Sequence, residues 1–121
     1  MSVKVDLQQL AQTLADFPFA YLVTVGDDYR AHTVAVDPVL DGGVLRIGGV
    51  GNSTRRNAGA HPAVTLVWPP RDPGGYSLIV DGRAAVAGDG VTVDPTGAVL
   101  HRPAVPGTPT ASGCGDDCVR V

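Results

Sequence analysis

Glutamate is absent from the sequence, and lysine occurs once, at Lys4. All 12 acidic residues are therefore Asp, and eight of the nine basic residues are Arg. Glu and Lys are good helix formers whereas Asp favours turns, so these absences argue against an α-rich chain. Charged residues make up 17% of the total, below the usual share, and a net charge of −3 leaves no basic footprint. No nucleic-acid partner is expected on that balance. Long hydrophobic runs are missing too. The longest, Phe17 to Val25, is too short to span a bilayer and is broken by Pro18 and Thr24. No membrane segment or secretory signal is expected, and the expected compartment is the cytoplasm. The only two cysteines, Cys114 and Cys118, lie near the C-terminal end and cannot staple a core. A zinc site wants four ligands and no second Cys or His cluster lies beside them, so no metal is expected. A plain reduced tail, a redox pair and a dimer contact stay open for these thiols.

What is present suits a small β protein. The 121 residues are enough for one core, 44% of them are hydrophobic, and 16 Gly with 10 Pro supply tight turns. Leu7, Leu10, Ala11 and Leu14 fall at helical spacing, which predicts one short helix over 6–17 with Asp6 as N-cap. Strands are predicted over 19–25, 30–36 and 44–47, joined by the turns at Gly26-Asp27-Asp28 and Asp41-Gly42-Gly43, as an antiparallel meander. A glycine-rich bend from Gly48 then runs into a second short helix over 53–60, with Ser53 as N-cap and Pro62 ending it. The apolar run 63–68 predicts a central strand. A long strand over 76–87 follows, whose apolar face is interrupted by Gly82, the signature of a bend or bulge. Two short strands, 91–93 and 97–101, complete the set. The fold class expected is all-β with one or two short helices, a barrel of six to seven mainly antiparallel strands. Residues 1–103 form that domain, and 104–121, without periodicity, read as a tail.

The densest chemistry lies between Gly48 and Asn57. Glycines let a backbone approach a ligand, free N–H groups at a helix start attract an anion, and Ser53, Thr54, Arg55 and Arg56 add hydroxyls and permanent charge suited to phosphate. No Gly-Lys-Ser/Thr element is present, so this is not the phosphate loop of nucleotide hydrolases. The competing reading is a capped helix with solvated arginines. Of the three histidines, His32 shares a strand face with Arg30, His61 closes the second helix, and His101 closes the last strand. None is assigned as a catalytic acid or base. Trp68 and Tyr76, flanking the Pro-rich loop, read as packing residues.

The ordered set of helix, strands, Gly/Ser/Arg-Asn bend, "AHPAVTLVW" and "YSLIVDGRAAV" resembles the split β-barrel of pyridoxamine 5′-phosphate oxidase-like flavoproteins and their deazaflavin-using relatives. The resemblance covers 17–102, and its best-matching motif is "STRRNAGAHPAVTLVW", Ser53 to Trp68. It implies a homodimer holding FMN, or alternatively a deazaflavin coenzyme, in a groove between subunits for a redox reaction on a small molecule. The phosphate would rest on Ser53, Thr54, Arg55, Arg56 and Asn57. The ring would lie along His32, Thr33 and Val34, with Ile47 and Gly48 lining the same groove. Arg56-Asn57 matches a pair common in these relatives. Thr54 stands where the family often has a phosphate-binding lysine, and the long C-terminal portion of true pyridoxamine phosphate oxidases has no counterpart, which speaks against that vitamin reaction. Those departures keep a second reading open: a non-catalytic or haem/tetrapyrrole-binding module on the same barrel. The substrate is not legible.

Overall fold

A computed structural model describes residues 1–104; residues 105–121 of the predicted tail, Cys114 and Cys118 among them, lie outside the described residues. The elements in chain order are β1 (Ser2–Lys4), a 3₁₀ turn (Leu7–Gln9), α1 (Leu10–Leu14), β2 (Ala20–Val25), β3 (Ala31–Val36), β4 (Val39–Asp41), β5 (Val44–Ile47), α2 (Asn52–Ala60), β6 (Ala63–Trp68), β7 (Ser77–Ala87) and β8 (Gly90–His101). All strands join one antiparallel eight-stranded sheet in the order β3-β2-β6-β7-β8-β5-β4, with β1 also on β8. This is the all-β split barrel expected, with short helices added. Among the described residues the expected strand count of six to seven becomes eight. The two predicted C-terminal strands fuse into β8, and β1 and β4, three residues each, were too short to show a pattern.

β8 is long enough to serve two neighbours on one side. Its first half pairs with β5, through Leu45↔Val93 and Ile47↔Val91, and its second half pairs with β1, through Val3↔Leu100. The other side pairs with β7 along its whole length, with a register shift at Asp81/Gly82. That is the bulge the sequence placed at Gly82. A Cβ there would lie 2.5 Å from Val93 Cγ1 and 2.8 Å from the Asp94 carbonyl oxygen, so only glycine lets the strands close in. Pro95 stands opposite Gly82, where the irregular ladder does not require a donor, so the two strands expected over 91–93 and 97–101 run on as one.

The expected meander of the first three strands is corrected. β3 pairs with β2 and ends the sheet, whereas the β4–β5 hairpin crosses to the far side. Leu45 and Ile47 explain it: beside β8 they fall to 0% and 3% exposure. No position on β3 offers comparable burial, because its residues alternate only between exposed and half-buried.

The core lies on one face of the sheet. Register aligns Val34, Leu22, Leu66, Val80 and Ala98 across five strands, and the four from Leu22 to Ala98 are buried with Trp68 and Leu10. Trp68 is a core residue as expected. Leu10 seals the barrel end from α1, which is shorter than the predicted helix and preceded by the 3₁₀ turn. Asp6 caps that turn by accepting from the Gln8 N–H at 2.9 Å. Among the described residues no helix is long and apolar enough to cross a membrane.

The candidate anion cavity

α2 packs against β2 and β7, with Thr54 and Ala58 buried beneath it. It starts one residue earlier than the sequence suggested. Gly51, not Ser53, is the N-cap: its backbone is extended, and the first helical bond runs from the Arg55 N–H to the Gly51 carbonyl at 3.1 Å. Ser53 therefore sits inside the first turn, with its side chain exposed and free to meet a ligand rather than closing the helix end.

The helix period separates the four residues that matter. Ser53, Arg56, Asn57 and Ala60, at i, i+3, i+4 and i+7, share one face, and that face forms a wall of a cavity of about 560 Å³. The opposite wall is the β2–β3 hairpin: Gly26, Asp27, Asp28, Arg30, Ala31 and His32. Two side-chain bonds hold the walls together. Asn57 Nδ2 donates to Thr24 Oγ1 at 3.2 Å, and His61 Nε2 meets Asp27 Oδ1 at 2.7 Å. The hairpin is itself braced: Tyr29 N–H donates to the Gly26 carbonyl, Gly26 N–H to the Arg30 carbonyl, and Arg30 N–H to Asp28 Oδ1.

The charges in the cavity are two carboxylates and two guanidinium groups. Both carboxylates are engaged, Asp27 with His61 and Asp28 with a backbone N–H. Among the described residues, the side chains of Arg30 and Arg56 have neither an ion pair nor a hydrogen bond. Two uncommitted guanidinium groups beside the first turn of a helix form a polar recess suited to phosphate-like oxygens.

The other residues proposed from the sequence go elsewhere. Arg55 points to the opposite side of α2, where its guanidinium donates to the carbonyls of Val50 and Asp89 and to Asn52 Oδ1. Together with the Val50 N–H bond to the Asp89 carbonyl, it ties the glycine bend to the β7–β8 turn. Thr54 and Ile47 are buried, at 1% and 3% exposure. Gly48 is exposed but does not line the cavity. On β3 the strand alternation divides the proposed ring platform: His32 and Val34 face inward and are half-buried, while Thr33 is exposed on the sheet's outer surface. Of the ten residues, the structure gathers His32, Ser53, Arg56 and Asn57. The sequence reading missed Arg30, Asp27 and Asp28 as wall residues. A helical wheel on 53–60 would have parted Arg55 from Arg56, but nothing local to Arg30 announces that its hairpin folds against that helix.

A second recess, of about 410 Å³, lies at the other end of β2, between α1 and the loop before β7. Asp16, Arg71 and Asp72 rim it over Phe17, Tyr76 and Leu100, and the Arg102 guanidinium stacks on Tyr76 at 4.7 Å. These mixed charges converge on no single ligand chemistry.

No protein-family model matches the chain. Two mycobacterial proteins, uncharacterized protein Mb0449c of Mycobacterium bovis and uncharacterized protein MT0457 of Mycobacterium tuberculosis, are each 51% identical to it, covering 96% of this chain and 94% of their own. Solved structures with the same architecture include a Listeria innocua protein assigned as a pyridoxamine 5′-phosphate oxidase (TM-score 0.64, 15% identity, 78% of this chain and 96% of that one). An FAD binding protein from Mycobacterium smegmatis aligns with TM-score 0.62 at 18% identity over 84% of this chain and all of its own. An F420 reductase aligns with TM-score 0.57 at 24% identity over 72% and 94%. At these identities the structural likeness shows the split-barrel fold.

Proposed function

The chain belongs to the family of the mycobacterial proteins Mb0449c and MT0457, and from that premise we propose that it is a cytoplasmic split-barrel protein that binds a phosphorylated flavin or deazaflavin, with FMN as the minimal form, and uses it in a redox reaction on a small molecule. The observation that carries the reading is the pair of guanidinium groups without a partner among the described residues, Arg30 on the hairpin wall and Arg56 on the helix wall of one cavity at the start of α2. The fold supports it, because proteins named for FAD and for F420 share this barrel.

The residues present fit such a group. Arg56 and Arg30 would neutralise the phosphate, and Ser53 Oγ would add a hydrogen bond from the exposed first turn. Asn57 is already fixed by Thr24, so its remaining amide groups are presented without further ordering. The ring would extend along β3 past His32 toward Val34. When bound, the cofactor supplies the hydride or electron chemistry, and this chain supplies binding, orientation and exclusion of water.

A second copy of the chain completes the groove in this proposal. On the outer face of the sheet, register places Ala35, Tyr21, Val67, Ile79 and Val99 in one row across five strands, and Phe19 packs edge-to-face on Tyr21 at 5.4 Å. Tyr21 and Phe19 are 39% and 37% exposed, and no described element covers them. Thr33 opens to this same face, on the side a partner would close. The test is an absorption spectrum of the purified protein, followed by calorimetric titration with FMN, FAD and a deazaflavin, alongside sedimentation of the free protein. Saturable binding by a dimer supports the reading; a colourless protein that takes up none of the three overturns it.

A further inference from the structure

The outer face of the sheet carries little charge for a surface open to water. On the outer positions of β3, β2, β6 and β7 only two charged residues stand, Asp81 and Arg83, both on β7 and both exposed. They point the same way from one strand, about 7 Å apart along it, with Gly82 between them on the core side. Neither uses the other. Among the described residues Arg83 forms no ion pair, with Asp81 or with Asp94, its neighbour across the β7–β8 ladder, and its guanidinium has no hydrogen bond. Asp81 is set in place from both sides: Thr65 Oγ1 donates to its Oδ1 at 2.7 Å, and Thr96 Oγ1 donates to its backbone carbonyl at 3.2 Å. Its Oδ2 is left over.

Side-chain size on this face is graded along the strands in the same direction as the charges. The row of Tyr21, Val67 and Ile79 lies on one side of Asp81, while Ala63 stands level with Arg83 and Ala85 beyond it. A two-fold axis lying in the face, across the strands and between residues 81 and 83, turns both gradients onto themselves. In such a contact residue i meets j and j meets i, so Asp81 faces the partner's Arg83 twice over and Ile79 faces the partner's Ala85. Stacked sheets lie about 10 Å apart, a gap that an arginine from one and an aspartate from the other can bridge. A carboxylate shut into an apolar contact is costly without an opposite charge, so sliding the face out of this register is penalised. We propose that the outer face is a self-complementary docking surface for a second copy of this chain, its register set by reciprocal Asp81–Arg83 pairs across the axis. The inference rests on the self-association proposed above and adds the contact that fixes it.

The test is charge reversal, read by sedimentation equilibrium on the wild type, Asp81→Arg, Arg83→Asp, the double variant carrying both changes, and an equal mixture of the two single variants. Circular dichroism checks that each is folded, as expected for residues exposed in the single chain. Each single variant sets like charges opposite one another twice, and should raise the dimer dissociation constant at least about tenfold. The double variant exchanges the two charges and should return to within about threefold of the wild type. The mixture should do the same, by forming a heterodimer that native mass spectrometry resolves as one copy of each variant. Should a reversal fail to fold, Asp81→Asn and Arg83→Gln replace it, each expected to weaken self-association at least about threefold. Single variants that dimerise as tightly as the wild type, or a mixture that stays monomeric, overturn the pairing and leave self-association standing. A wild type that sediments as a monomer overturns self-association and the pairing with it.

Discussion

Arg55 and Arg56 are adjacent in sequence, yet the fold gives them separable jobs, and alanine at each should show it. Arg55 is half-buried and bridges Val50, Asp89 and Asn52, joining the N-terminus of α2 to the β7–β8 turn. A hydrogen bond from a charged donor contributes about 1.5–3 kcal/mol net. Water can reach part of this side chain and replace some of the contacts, so one such bond is a fair total for the three. Arg55→Ala should therefore lower stability by about 1.5–3 kcal/mol, a fall in unfolding midpoint on the order of 10 °C. Arg56 is exposed and has no partner, so Arg56→Ala should change stability by no more than about 0.5 kcal/mol. Its loss should appear in ligand binding instead. One charge-assisted contact to phosphate corresponds to roughly 10- to 100-fold in affinity. Urea unfolding and calorimetric titration of both variants measure the two effects, with Arg55→Ala titrated well below its midpoint, where affinity should stay within about threefold. The opposite pattern, a stable Arg55→Ala with lost affinity beside an Arg56→Ala that binds normally, would refute the division and return the anion to the other side of the helix.

Three further outcomes follow from packing. Gly90→Ala should unfold the β5–β8 contact, because its Cβ would stand 2.1 Å from the Ile47 carbonyl oxygen, and backbone cannot yield as a side chain can. A cost of about 3 kcal/mol by denaturant titration is expected, and a wild-type midpoint would mean that Gly90 is not so confined. Trp68→Ala, at a site 2% exposed, should cost about 3–5 kcal/mol in the same assay. Tyr21→Asp should leave the monomer folded, since Tyr21 is exposed, but should convert a sedimenting dimer to monomer; a dimer that persists would place self-association on another face.

Local chemistry was legible, and long-range pairing was not. Asp6 as a cap, Gly82 as a bulge, the apolar run of β6 and the core position of Trp68 all follow from residues within a few positions of one another. The destination of the β4–β5 hairpin does not, because Leu45 and Ile47 would satisfy the same alternation beside any buried strand. Only Val91 and Val93, more than 40 residues later, decide it. Similarly, Pro95 is a turn signal by local rules and becomes a strand residue because Gly82 across the ladder has already broken the hydrogen-bond register. The site shows the same limit. The motif around Ser53 marked the helix wall, while the hairpin wall depends on a contact between residues more than 30 apart.

That contact bears on how the cavity would bind. Its walls are joined by Thr24–Asn57 and Asp27–His61. None of these bonds uses Arg30 or Arg56. The scaffold is thus held by groups that need not let go when a ligand arrives, and the groups free to grip are not needed for the scaffold. In such an arrangement the ordering cost of binding falls mainly on two arginine side chains, each about 0.5–1.5 kcal/mol. Cutting the His61 tie should therefore weaken binding by loosening a wall, while removing Arg56 weakens it by removing a charge. Salt dependence tests the second of these: the slope of affinity against ionic strength should flatten in Arg56→Ala, because that variant has lost a permanent, screened charge from the cavity wall.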